Sequence, residues 1–288
     1  MLYPTSQDWR DAPRKRVLFF GMSGLGKTYV SNILRGAGSW FHYSIDYRIG
    51  TRYMGEFIAD NAKAEAMQVP FLRNLLLNDS IHITSNITFE NLGAVAAYLG
   101  MPGDTNKGGL QIDEYRRRQD QFRRAEIDAL LDTGYFIDRA DAIYGYTNFI
   151  CDTGGSLCEW VDAADPNDRI LKALSEQTLL VWIKGSDAHT AELIRRFDRA
   201  PKPMAYQPEF LSRVWDEYLR ENNLTEDAVD PHAFLRWTYA QALAHRQPRY
   251  QAIANNWGVT VTPDQISAVK DEQGFEDLIA SALEARGT

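Results

Sequence analysis

The sequence predicts an α/β fold: three layers, α/β/α, around a parallel five-stranded sheet, with helical insertions. Three observations carry that prediction. Five short apolar segments, at 16–20, 40–45, 148–152, 179–184 and 258–262, suit strands buried on both faces. Stretches with the spacing of apolar residues typical of helices follow these segments, the alternation that joins parallel strands through crossovers. Between the first strand and the first helix stands a glycine-rich loop.

The elements follow in order. Residues 1–15 are polar, carry Pro4 and Pro13, and read as a lead-in. RVLFF at 16–20 is the first strand. After the glycine loop, an amphipathic helix covers 27–34, and Gly36 and Gly38 end it. The second strand is 40–45. Helical spacing returns at 59–67, 71–77 and 89–99, and MPGDTNKGG at 101–109 is a turn-rich loop. A long charged helix spans 112–131. NFICD at 148–152 and LLVWIK at 179–184 are the third and fourth strands. A helix over 188–198 leads to a loop at 199–208 that holds three prolines. Helices over 209–221 and 232–245, the strand GVTVT at 258–262 and a helix over 275–285 complete the chain. Helix accumulates at 51–108 and 205–245, so these read as insertions into one domain spanning 1–288.

Composition narrows the function. The 288 residues include 31 Lys plus Arg and 39 Asp plus Glu, a net charge of −8. This is the balance of a folded soluble protein with room for a sizeable core. The negative field disfavours nucleic acid as a partner, because it repels phosphates. Two cysteines, Cys151 and Cys158, exclude a disulfide framework and a four-cysteine zinc site. No apolar run approaches the roughly twenty residues of a membrane span, so no membrane partner is expected. Arg14, Lys15 and Arg16 precede only a short apolar run, which is not a signal peptide. The expectation is a cytoplasmic protein. The five histidines, at 42, 82, 189, 232 and 245, show no metal-ligand spacing.

Chemistry concentrates at residues 21–28, GMSGLGKT, which fit G-x-x-x-x-G-K-[ST] completely. A strand leads in and a helix leads out. Glycines let the backbone curl so that its N–H groups point at phosphate oxygens, and the helix N-terminus adds its positive end. The expected nucleotide contacts are Gly21, Ser23, Gly24, Leu25, Gly26, Lys27, Thr28 and Tyr29. Lys27 reaches the β- and γ-phosphates, and the Thr28 hydroxyl ligates Mg²⁺. ATP and Mg²⁺ are the expected cofactors. Asp152 ends the third strand and reads as Mg²⁺-associated, the alternative being a cap for the turn that follows. Asp46 lies just past the second strand, where open α/β sheets bind ligands. It is a candidate to take the proton of an attacking hydroxyl, the alternatives being a helix cap or a partner for Arg48.

With these pieces in order, the chain resembles the shikimate kinase group of phosphate-loop kinases. Beside the phosphate loop, Asp46 is similar to the strand-two aspartate that contacts the substrate hydroxyl. FRRAE at 122–126 resembles F-R-x-x-E, which makes Arg123 a substrate carboxylate ligand. TGGS at 153–156 resembles T-G-G-G, which implies that Gly154 and Gly155 line the substrate pocket. Lys202-Pro203-Met204 stands where the lid carries R-P-L, so Lys202 would be the catalytic lid cation, with Arg195, Arg196 and Arg199 as candidates beside it. RQPRY at 246–250 resembles R-x-P-L-Y, which makes Arg246 a second carboxylate ligand. Three departures stand out. Ser44 replaces an aspartate, which leaves the metal role to Asp152. Ser156 replaces the third glycine, and Lys202 replaces an arginine. The segments 51–108 and 205–245 have no counterpart, and the first lies on the acceptor side. The resemblance implies a phosphotransferase that moves the γ-phosphoryl group of ATP to a hydroxyl of a small, anionic metabolite. The alternative is a P-loop ATPase or nucleotide-dependent switch that acts with a protein partner. A homo-oligomer is compatible with either.

Overall fold

A computed structural model of the chain describes residues 1–287. Its strands are β1 (Arg16–Phe20), β2 (Trp40–Ser44), β3 (Asn148–Asp152), β4 (Leu179–Ile183) and β5 (Gly258–Val261). Its α-helices are α1 (Ser6–Asp11), α2 (Lys27–Ala37), α3 (Ile45–Arg48), α4 (Gly55–Ala66), α5 (Pro70–Leu77), α6 (Gly93–Leu99) and α7 (Ile112–Leu131). They continue with α8 (Thr133–Tyr144), α9 (Arg169–Gln177), α10 (Asp187–Arg199), α11 (Pro208–Asn222), α12 (Pro231–Trp257), α13 (Pro263–Ala268) and α14 (Glu272–Gly287). No helix among the described residues is long and apolar enough to cross a membrane.

The strands form one parallel sheet in the order β2-β3-β1-β4-β5. The phosphate loop therefore leaves the central strand. Register sorts the side chains into two faces. Phe19 and Trp40 point toward Phe275 of α14, with ring centroids 5.9 and 5.6 Å away. On the opposite face Phe20 and Trp182 meet Tyr250 of α12, and Tyr43 stacks on Phe136 of α8 at 4.5 Å. Helices thus cover both faces, which is why β4, and β1 after Arg16, are apolar and buried. The expected three-layer α/β/α fold is observed.

The chain divides into two units. The first is Met1–Ile45, Ile127–Ala200 and the chain from Arg236 onward, and it holds the whole sheet. The second is Asp46–Glu126 with Pro201–Leu235. Its core includes Trp215 and Tyr218 packed edge-on against Phe234 at 5.0 and 5.3 Å. In the same unit α7 fastens the proline-rich loop: Tyr115 and Gln119 donate to the Met204 carbonyl, and the Tyr206 amide donates to Gln119. The expected insertion 51–108 lies wholly in the second unit, whereas 205–245 is divided between the two after Leu235.

Several elements differ from the sequence expectation. The lead-in contains α1, capped by Thr5, and Trp9 buries its ring and donates to the Glu276 carbonyl at 3.0 Å. The helix expected over 89–99 begins only at Gly93, because Thr88 and Asn91 close a turn on each other first. Three helices, α8, α9 and α13, arise in stretches that carried no assignment. α12 continues past the expected end at 245 and through Pro248. Proline removes the hydrogen bond to the carbonyl four residues earlier. Here both Ala244 and Pro248 face solvent, and water can serve that carbonyl. Buried Tyr250, Ile253 and Ala254 keep the helix going.

Candidate active site

The phosphate loop is built from backbone that only glycine adopts readily. Gly21, Gly24 and Gly26 have φ of 123°, 84° and 104°. A Cβ on Gly21 would stand 2.9 Å from the Ile183 carbonyl oxygen, and one on Gly26 would stand 2.9 Å from Ile266 Cγ2. Gly26 is also the N-cap of α2 and offers no side chain, so the first amides of that helix remain available to a ligand. Lys27 is buried, and its ammonium group donates to the carbonyls of Gly21 (2.7 Å) and Met22 (2.9 Å). That bridge holds the positive charge at the loop. Ser23, Gly24, Thr28 and Tyr29 are exposed, and the Tyr29 hydroxyl donates to the Val269 carbonyl. Leu25, expected as a nucleotide contact, is buried with its side chain against Gly185.

Asp152 pairs in register with Phe19, two residues before the loop begins. Its Oδ2 lies 3.3 Å from His42 Nε2. Its Oδ1 is buried with no hydrogen-bond partner, an orphan acceptor suited to a cation. Among the described residues no group of three or more His, Cys, Asp or Glu side chains could hold a metal. A site for Mg²⁺ would thus rest on the two oxygen donors Asp152 and Thr28, with phosphate and water completing the shell. That set fits a hard cation that keeps much of its hydration.

Behind the loop stands the glycine turn. The Thr153 amide and hydroxyl both donate to the Phe19 carbonyl at 3.1 Å. The Tyr250 hydroxyl donates to the Gly155 carbonyl and reaches Met22 Sδ at 3.5 Å. Arg246, expected as a carboxylate ligand, is 3% exposed and donates from Nε to Glu159 Oε1 at 2.6 Å. The other Glu159 oxygen lies 3.3 Å from His245 Nε2. Burial alone would push the Glu159 carboxyl up, but His245 and Arg246 together bring it below its usual range. For Arg246 burial likewise opposes the charge, yet Glu159 leads the groups that raise its pKa. Burial drives the neighbouring Cys158 thiol up to about 12, away from the thiolate form. Sequence reasoning missed Glu159 and His245. The available signal was a lone acid in the otherwise uncharged run SLCEWV.

The remaining candidates divide between the units. In the second unit, Asp46 is half-buried in the first turn of α3, directly after β2. Close by in sequence, Tyr47 stacks on Phe89 at 4.4 Å, and the Arg48 guanidinium lies over Tyr53. Arg123 is half-exposed and bonds Asp120 at 2.6 Å, a carboxylate shared with Arg124. Lys202 is exposed on the proline-rich loop that Met204 anchors. In the first unit, Arg195 and Arg196 both bond Glu192 one turn earlier, whereas Arg199 is exposed in the last turn of α10. The structure thus gathers the phosphate loop, Asp152, Gly155 and Arg246 within the first unit, while Asp46, Arg123 and Lys202 belong to the second.

Two solved structures similar to this chain are shikimate kinases, the group that the motifs resemble. That from Bacteroides thetaiotaomicron is 14% identical, with a TM-score of 0.36 over 95% of this chain and 99% of the other. That from Acinetobacter baumannii, solved in complex with shikimate, is 13% identical, with a TM-score of 0.33 over 97% and 96%. No family model and no curated protein matches the chain. The fold assignment rests on the sheet and the loop it carries.

Proposed function

We propose that this chain is a phosphotransferase that moves the γ-phosphoryl group of ATP to a hydroxyl of a small metabolite. The observation that carries the reading is the phosphate loop itself. Three left-handed glycines, an N-cap without a side chain and a buried lysine stand together at the end of the central strand. Such a cradle offers main-chain donors and one fixed positive charge to a polyphosphate.

Each residue then has a task. Lys27, held at the loop by two carbonyls, would offset charge on the transferred group. Thr28 and Asp152 would hold Mg²⁺, which when bound neutralises charge on phosphate oxygens. Asp46 would orient the acceptor hydroxyl and take its proton. Lys202 and Arg199 would supply further positive charge from the proline-rich loop and the end of α10. Arg123 would meet an anionic acceptor. Its partner Asp120 lies at the surface, where an ion pair is worth only about 0–1 kcal/mol and a ligand carboxylate can compete. Catalysis of this kind is positioning and electrostatics.

A coupled assay of ADP release, run with Mg·ATP and a panel of hydroxylated metabolites, tests the reading. The expected result is little hydrolysis with ATP alone and strong release with one acceptor class. Robust acceptor-independent hydrolysis would instead favour an ATPase that works with a protein partner.

A further inference from the structure

Neighbouring strands place the Asp152 carboxylate. Asp152 stands opposite Phe19 on β1 and opposite Ser44 on β2, and His42 stands opposite Ile150, two residues earlier on the same face. That face is the one on which Phe19 and Trp40 meet α14. There His42 Nε2 lies 3.3 Å from Asp152 Oδ2, and the two side chains are only 6% and 14% exposed. Asp152 Oδ1 is buried and makes no hydrogen bond. Among the described residues, His42 is the one side chain in polar contact with this carboxylate. The backbone just beyond is fixed as well, because the Thr153 amide and hydroxyl both donate to the Phe19 carbonyl. The last residue of β3 thus combines a fixed backbone, one engaged oxygen and one open oxygen.

We infer that His42 is a positioning residue for the cation site: it holds the Asp152 carboxylate by Oδ2 and leaves Oδ1 to Mg²⁺ or to a water on the ion. The inference rests on the Mg²⁺ role proposed above for Asp152. Its physical basis is torsional. A carboxylate on a fixed backbone still turns about its side-chain bonds, and each turn points its oxygens elsewhere. Contact with a ring on the adjacent strand removes that freedom before the ion arrives, so less order is lost on binding. Mg²⁺ demands near-octahedral placement of its oxygen donors, so a carboxylate free to turn binds it poorly. β2 is paired with β3 along its length, which gives the ring and the carboxylate one rigid support.

The experiment is calorimetric titration of the full chain with a non-hydrolysable ATP analogue, once with excess Mg²⁺ and once with EDTA. It is run at a temperature where circular dichroism shows each variant folded. The ratio of the two dissociation constants measures what the ion adds. A purely structural role lowers the melting temperature, or weakens both forms of the nucleotide alike, and leaves that ratio unmoved. In wild type the ratio should be about tenfold or more, and His42→Leu should bring it to within about threefold of one. His42→Gln, whose amide nitrogen can stand where Nε2 stands, should recover the wild-type ratio to within about threefold. If His42→Leu does not fold, His42→Asn takes its place with the same expectation, because its amide is too short to reach that position. An unmoved ratio in His42→Leu, or in His42→Asn where that variant decides, overturns the inference and leaves Asp152 its role. Failure of His42→Gln to recover the ratio also overturns it, because a polar nitrogen beside Oδ2 is all that the inference asks of this residue. Asp152→Asn is the control and should lower the ratio as His42→Leu does. A wild-type ratio near one, or an unmoved ratio in Asp152→Asn, overturns the Mg²⁺ role of Asp152, and a wild-type chain that binds neither form overturns the nucleotide reading; this inference falls with either.

Discussion

Two glycines at opposite ends of α2 should respond to the same substitution with opposite signs. At Gly26, φ is 104° and ψ is 5°, in the left-handed region. An L-residue held there pays about 1–2 kcal/mol. The new methyl group would also stand 2.9 Å from Ile266 Cγ2, a fully buried side chain of α13. Forcing an extra methyl into a packed core costs about 1–3 kcal/mol. Gly26→Ala should thus destabilise the first unit by about 2–5 kcal/mol, a drop of about 4–20 °C in melting temperature. Gly36 lies inside the last turns of the same helix, exposed, with nothing within 4 Å of a Cβ. Gly36→Ala should stabilise by about 0.5–1 kcal/mol, because alanine loses less backbone freedom on folding. Melting curves for the two variants and wild type, followed by circular dichroism, provide the measurement. A Gly26→Ala protein that melts within a degree of wild type would refute the left-handed cap and the close approach of α13. A destabilised Gly36→Ala protein would refute the open helical setting assigned to that residue.

Three further outcomes are expected. Lys27→Ala should abolish turnover, whereas Asp46→Asn should spare Mg·ATP binding and depress phosphate transfer by about 10²–10⁴-fold, as loss of a general base does; comparing ATP binding with acceptor phosphorylation separates the two roles. Arg123→Ala should change stability by less than about 1 kcal/mol, since its pair with Asp120 is exposed and intrahelical, but should raise KM for an anionic acceptor. Glu114 is held at about 2, below its ordinary 4.5, first by its bond to Arg117 and further by Arg118. Its folded pKa is depressed, so its contribution is full above about pH 4.5 and fades as pH falls toward 2. The contribution is about 0.3–1 kcal/mol for a partly exposed pair. Urea denaturation at pH 6 and pH 3 should show Glu114→Gln losing less stability than wild type.

Local sequence was enough for the elements whose signal is short-range. The apolar strands, the glycine loop and the charged helix over 112–131 all stand where the pattern placed them, because burial on both faces and left-handed backbone leave marks in adjacent residues. The left-handed turns at Gly21, Gly24 and Gly26 follow from the motif alone. Tertiary structure decided the rest. Trp9 turned a polar lead-in into a helix by packing on α14. Buried Tyr250, Ile253 and Ala254 carried α12 through Pro248, against the local preference to stop. The two motif arginines looked alike in sequence, yet one lies half-exposed beside Asp120 and the other is buried against Glu159. No local pattern distinguishes them, because Glu159, a counter-ion of Arg246, is 87 residues away along the chain and meets it only when α12 packs on the sheet. A charge's meaning depends on what neutralises it. That partner is local for Arg123, but for Arg246 it is set by the fold.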